Sequence, residues 1–411
     1  MRGLSLSFVS VLGLALAACA ARANSERDAS RCAEMKSSLE GCLGGAAPDL
    51  DCATLTPSDV SRIQGAMDTF SCTGLGQGIT LDGDPKSASC RMYGVGCTTA
   101  TNEAPEHRPT RFPIVLVNGI DDSPLFRWSD RIQRTLREDG GHTVALATLP
   151  PWSPVKTRGP ALWKRIQEVR AETHAAKVNL VCHSLGGLDC RYVASPAGLV
   201  WDADDVDAKE VAGAIASVTT VATAHHGTRA ADVLMGLAPD GDRQKLADAL
   251  VALLGGALGS GRSVEDPHVR DGLAAITTEE AERFSREMVD AEGVYYQSWA
   301  GYSRPFGAAS AEHDAAVTRE CASDDVGHDY MALPLAPFAD VVGKASDGTP
   351  IPNDGLVAVA SAKWGKFRGC VPADHMEQLG QRNLPDVNVR TGFDVARFYA
   401  SVAADLAERG F

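Results

Sequence analysis

Val178-Asn179-Leu180-Val181-Cys182-His183-Ser184-Leu185-Gly186-Gly187 is the stretch around which the chain is organised. Four strand-tolerant residues lead into a turn. A helix-forming run, Leu188-Asp189-Cys190-Arg191-Tyr192-Val193-Ala194, follows it. Strand, sharp turn and helix in that order form the context of a nucleophile elbow. The turn lifts the Ser184 hydroxyl above the sheet edge. Small residues beside it let strand and helix approach closely. The helix N-terminus then offers backbone N–H groups, that of Leu185 first, to a developing oxyanion. The usual pattern is Gly-x-Ser-x-Gly; Gly186 holds the second glycine position and Cys182 stands at the first.

Working outward, the stretch Phe112-Pro113-Ile114-Val115-Leu116-Val117-Asn118-Gly119-Ile120 reads as a central strand buried on both faces and ending in a turn. His142 to Leu149 is a second strand and Ala214 to Thr223 another, and Val294 to Trp299 and Leu356 to Ala360 add two more. Pro160 to Ala171 places Leu162, Ile166 and Val169 at helical spacing. Strands separated by helices imply βαβ units and a mostly parallel sheet, whose chemistry sits at the carboxyl ends of the strands.

The chain has 411 residues and a formal net charge of −14. That balance argues against a nucleic-acid partner. Residues 1–18 carry Arg2 before a short apolar run, too short for a membrane span, and read as a secretory signal. Leu16-Ala17-Ala18-Cys19 has the form of a lipoprotein signal, with Cys19 lipidated as the first mature residue. Ala21-Arg22-Ala23 is a rival cleavage site. The expected location is the outer membrane or cell surface, or alternatively the medium.

Export decides how the cysteines are read. There are eleven, so setting Cys19 aside leaves an even ten. Cys32, Cys42, Cys52, Cys72, Cys90 and Cys97 suggest three disulfides in a small module over residues 24–97. One helix is expected there from Pro57 to Phe70. Residues 98–110, with Pro105 and Pro109, form a linker, and 111–411 the catalytic domain. Cys321 and Cys370 are expected to pair, tethering the loop that follows Cys370. Cys182 and Cys190 are expected to stay reduced, because a strand-to-helix pair must meet tight Cα limits.

Taken together, five segments resemble the bacterial true lipases of the Pseudomonas and Burkholderia type, within the α/β-hydrolase superfamily. These are 112–119, 178–187, Val218-Thr219-Thr220-Val221-Ala222-Thr223-Ala224-His225-His226-Gly227-Thr228, Tyr295-Tyr296-Gln297-Ser298-Trp299-Ala300-Gly301, and Asn353-Asp354-Gly355-Leu356-Val357 followed by His375. The chain departs from that family at Asn118 (usually His), Cys182 (usually Gly) and Ala224 (usually Pro). None of these removes a catalytic side chain. The resemblance implies an α/β-hydrolase fold, a mostly parallel central sheet flanked by helices. A helical lid insertion at about 230–265 is implied too, with Leu246, Leu250, Leu253, Leu254 and Leu258 in one stripe closed by glycines.

The resemblance implies a serine carboxyl-ester hydrolase acting on lipid or ester substrates. In such enzymes nucleophile, acid and histidine follow one another along the chain. Only His375 of the ten histidines follows Asp354, which makes it the general base and acid. Asp354 is the acid by its place before Gly355 and by the resemblance; Asp374 is the runner-up. His183 directly precedes the nucleophile, so its side chain is expected to leave the elbow in another direction, and His225 and His226 are expected to be loop or packing histidines. The oxyanion donors are the N–H groups of Leu185 and, by resemblance, Ile120. No cofactor is required for the chemistry. A structural calcium is implied, with Glu377 two residues after the histidine and its second carboxylate open among Asp329, Asp340 and others. The family also implies a folding chaperone as partner, and lipid at Cys19 would attach the protein to a membrane. An extracellular polyester depolymerase or short-chain esterase is the alternative within the same reaction class. A catalytically dead binding protein is the alternative outside it.

Overall fold

In the computed structural model, residues 30, 33–34, 36–37 and 108–411 are described, except 199–207, 239–242, 259–265, 306–309, 322–328, 346–347, 382–387, 389–390 and 392. The chain divides into two compact units, Met1–Pro85 with Val95–Thr98, and Lys86–Gly94 with Thr99–Phe411. In the first unit the few described residues are helical. The signal segment, Cys19, the Cys-rich module with its helix, and most of the linker lie outside the described residues.

The second unit is built on six parallel strands in the order β2-β1-β3-β4-β5-β6. They are β1 (Ile114–Val117), β2 (Val144–Ala147), β3 (Val178–His183), β4 (Ile215–Val221), β5 (Tyr295–Gly301) and β6 (Lys366–Val371). β1, β3 and β4 are buried along their whole length, as continuous apolar runs between two helical layers require. Helices α1 (Asp130–Arg134), α2 (Val155–Thr173), α3 (Gly186–Ala194) and α4 (Ala208–Ala214) connect the first four strands. Between β4 and β5 come α5 (Arg229–Leu234), α6 (Arg243–Leu258), α7 (Pro267–Ala274) and α8 (Thr278–Glu287). α9 (Ala311–Cys321) and α10 (Ala336–Val342) precede β6, and α11 (Val395–Glu408) closes the chain. Among the described residues no helix is long and apolar enough to cross a membrane.

The strand order reverses between β1 and β3. The chain leaves β1 for β2 on one side, then returns to place β3 on the other. Crevices that hold ligands open at such switch points, outside the carboxyl ends of the strands. The turns after β1 and β3 are those carrying Gly119 and Ser184.

One strand expectation is overturned. Leu356 to Ala360 forms turns, touched only by an isolated bridge between Asn353 and Ala358. The reason is local: the Asp354 carboxylate accepts the N–H groups of Leu356 and Val357 at 3.0 and 2.8 Å, which folds the backbone back on itself. The sixth strand is instead Lys366–Val371, exposed at its first residue and buried only at Cys370 and Val371. Helix α2 begins at Val155, five residues before the expected start at Pro160. Helix α6 runs through Gly255 and Gly256, two of the four glycines expected to close it, and reaches Leu258, beside the third, Gly259. Leu246 and Leu250 on α6 are buried in the apolar core that also takes in Leu335 and Phe338.

Candidate active site

Ser184 sits at φ +55° between β3 and α3. A residue with a Cβ occupies that left-handed region only where its surroundings over-determine it, and such positions cluster at functional sites. The surroundings here are close. The Ser184 amide donates to the Val221 carbonyl at 3.0 Å, and Gly187 N–H donates to the Ser184 carbonyl at 3.0 Å. A Cβ on Gly186 would come within 2.4 Å of the Asn118 carbonyl, and one on Gly119 within 3.0 Å of the Ser184 Cβ. The two turns at the switch point therefore touch through glycine.

His375 reaches this turn from the loop after β6. Its Nε2 lies 3.0 Å from Ser184 Oγ and its Nδ1 lies 2.8 Å from Asp354 Oδ2. The carboxylate requires Nδ1 to carry the proton. That leaves Nε2 as acceptor for the serine hydroxyl. His375 and Asp354 are buried, at 1% and 0% exposure, while Ser184 is partly open. Asp354 divides its oxygens. Oδ1 shapes its own turn, and Oδ2 takes His375 together with the Gln378 amide N–H at 3.1 Å. The His375 N–H also donates to the Asp354 carbonyl at 2.9 Å. Asp374 faces elsewhere. Its carboxylate accepts the N–H groups of Met376, Glu377 and Ala332.

Of the expected oxyanion donors, Leu185 follows Ser184 directly and Ile120 follows Gly119, the residue that abuts the Ser184 Cβ. Among the described residues, neither the Ile120 nor the Leu185 N–H has a backbone carbonyl as acceptor. Asn118 ties the ends of β1 and β2 together. Its Oδ1 accepts Leu149 N–H at 2.9 Å, and its amide donates to the Asp121 carbonyl at 3.0 Å. Asp121 Oδ1 accepts the Trp152 indole N–H at 2.9 Å.

Sequence reading missed the group that clamps this loop. Arg158 of α2 is fully buried. It meets Asp189 of α3 at 2.8 Å and donates to the carbonyls of Gly119 at 2.7 Å, Asn118 at 3.2 Å and Pro150 at 2.9 Å. Burial pushes Asp189 up to about 6, against the pull of the Arg158 guanidinium. Pattern reading puts an arginine on a helix in solvent, and only its partners reverse that. Gln378 was missed for the same reason.

His183 and His225 are buried, and His226 is exposed in its loop. His183 is buried with its ring centroid 4.6 Å from that of His375, behind the ring rather than at the hydroxyl. Burial, with His375 beside it, holds His183 well below the usual histidine range. His225 lies between Thr220 Oγ1 at 2.9 Å and the Arg191 guanidinium at 3.1 Å. His226 neighbours the Trp364 ring, with centroids 6.5 Å apart.

Two disulfides are present among the described residues. Cys321–Cys370 joins α9 to β6, with Cα atoms 5.4 Å apart, as expected. Cys182–Cys190 is a correction. These residues were expected to stay reduced, yet they are paired at a Cα separation of 6.7 Å. The close approach of α3 to the sheet brings the second turn of the helix over the end of β3, just inside the span a disulfide bridges.

Asp329 and the His375-loop residues Asp374 and Glu377 are all buried, with one carboxylate oxygen of each inside a 4.8 Å cluster. The Asn388 amide donates to Asp329 at 2.6 Å and to Glu377 at 3.1 Å. Three buried carboxylates on one point suit a hard divalent cation with oxygen ligands. Asp340, the other named candidate, is exposed on α10 and outside the cluster.

No protein-family model matches the chain. It is similar to triacylglycerol lipases of bacteria. It is 29% identical to that of Vibrio cholerae over 292 residues, covering 66% of this chain and 80% of that lipase. It is 29% identical to that of Burkholderia plantarii over 194 residues, covering 45% and 49%. Among solved structures, Staphylococcus hyicus lipase superposes with a TM-score of 0.49 at 17% identity, covering 74% of this chain and 97% of that one.

Proposed function

We propose that this chain, akin to the carboxylic ester hydrolases of the bacterial triacylglycerol lipase kind, is an exported lipase that cleaves acyl esters through an acyl-enzyme. Ser184 is the nucleophile, His375 the general base and acid, and Asp354 the group that orients the imidazole. The observation that carries this is the unbroken line from Ser184 Oγ to His375 Nε2 at 3.0 Å and from His375 Nδ1 to Asp354 Oδ2 at 2.8 Å. Such a line is what nucleophile activation needs. Ser184 Oγ attacks the ester carbonyl as its proton passes to Nε2. The carbonyl oxygen gains charge beside the Ile120 and Leu185 N–H groups. The alcohol leaves with the proton from Nε2, and water then releases the acid by the same route.

The lid is assigned to α6. Its residues Leu246 and Leu250 lie inward in the core, at 0% and 6% exposure. Their release at a lipid surface would present an apolar face. A calcium ion held by Asp329, Asp374 and Glu377 would anchor the His375 loop. A folding chaperone and lipid at Cys19 belong to the same proposal; mass spectrometry of the mature N-terminus distinguishes Cys19 from Asn24.

Ser184→Ala and His375→Ala are each expected to lose activity on the order of 10³-fold or more. A serine-directed phosphonate is expected to add at Ser184. Full activity in Ser184→Ala would overturn the assignment. Activity across esters of increasing acyl length separates a lipase, which keeps its rate on long chains, from the short-chain esterase or polyester depolymerase reading.

A further inference from the structure

The Cys182–Cys190 bridge straddles the turn that carries Ser184. Cys182 is the penultimate residue of β3, two residues before the serine, and Cys190 lies six residues after it in α3; both are fully buried. The ring of chain so closed contains Ser184, held at positive φ, and Leu185, whose N–H is an oxyanion donor in the proposed mechanism.

Gly186 and Gly187 open α3 and bring no side chain to the packing, and glycine weakens the first helical turn. Their helix face presses on the sheet edge, since a Cβ on Gly187 would come within 2.0 Å of Thr223 Oγ1. Cys190 follows Gly186 and Gly187 by four and three positions, so it stands on that same face one turn further on. From there the sulfur reaches back to the strand. The position where the usual pattern has glycine thus carries half of a covalent tie.

We propose that Cys182 and Cys190 are a positioning pair for ester cleavage. Their disulfide clasps the elbow, keeping Ser184 Oγ in line with His375 and the Leu185 N–H aimed at the oxyanion. The full rate therefore depends on an oxidised elbow. This rests on Ser184 being the nucleophile.

The test compares the full chain with its Cys182→Ala/Cys190→Ala variant, assayed well below the melting temperature of each. Three quantities are read: kcat and KM on a soluble short-chain ester, the second-order rate of phosphonate addition at Ser184, and Tm. The variant is expected to lose about 10- to 100-fold in both kcat and phosphonate rate, as a small misplacement of a reacting group would produce. KM is expected to change little. A variant with a lowered Tm but unchanged kcat and phosphonate rate would reduce the bridge to a stabilising tie and overturn the proposal. Should the alanine pair fail to fold, Cys182→Gly/Cys190→Ala, which restores the usual glycine, is read by the same outcomes. Failure of wild-type Ser184 to take up the phosphonate would be a different result, removing the nucleophile itself.

Discussion

At the residue scale, Asp354 shows how one side chain serves two readings. It makes the Asx turn that Asn-Asp-Gly invites, and it holds His375, because a carboxylate has acceptor sites for both. Asp354→Asn keeps the turn-forming oxygen but sets an amide against Nδ1–H. Its kcat/KM is expected to fall on the order of 10⁴-fold, with little loss of Tm. Asp374→Asn is expected to show the reverse, near-normal rates with a lowered Tm, because its oxygens serve backbone N–H groups. Kinetics and thermal melts on the two variants check this, and exchanged phenotypes would exchange the roles.

At the element scale, the Arg158–Asp189 pair joins α2, α3 and the turn after β1. Breaking a buried pair from one side leaves an uncompensated charge. Arg158→Met is therefore expected to lose about 3–5 kcal/mol of stability. Arg158→Met/Asp189→Leu removes both charges and is expected to regain most of that stability. It is still expected to remain slow, because the Asn118 and Gly119 carbonyls no longer have a guanidinium to set the turn. Denaturant melts and kcat on the two variants separate stability from positioning; full speed in the double variant would make the pair purely structural. Elements also account for the misread strand. Leu356-Val357-Ala358-Val359-Ala360 has strand-like composition, but the capture of its first N–H groups by Asp354 overrides propensity. Lys366–Val371 lacks that composition and is drawn into the sheet by β5.

On the whole-molecule scale, the buried carboxylates bring Asp329 together with Asp374 and Glu377 of the His375 loop. If they hold calcium, the ion binds only the folded state and adds to its stability by mass action. Chelation with EDTA is expected to lower Tm by ~5 °C, and added calcium to restore it. Asp329→Asn is expected to melt low and to ignore both treatments. An unchanged Tm in EDTA would remove the ion from the proposal. The sheet order places this cluster, the His375 loop and the elbow at the same ends of the strands, which is where the switch between β1 and β3 opens.

By itself the sequence determined what depends on neighbours along the chain. It marked the strand–turn–helix around Ser184, the strand-forming runs of β1, β3, β4 and β5, and His375 as the one histidine beyond Asp354. Hydrophobic period, turn chemistry and chain order are local quantities, readable without coordinates. The tertiary structure decided what depends on distance across the fold. It brought Asp354 rather than Asp374 against His375 and buried Arg158 on Asp189 from 31 residues away. It also closed Cys182 onto Cys190, against the expectation that both stay reduced. In each case the outcome turns on how closely packed elements approach. A buried charge or polar group must find its partner wherever the packing has put one, and no local pattern records where that is.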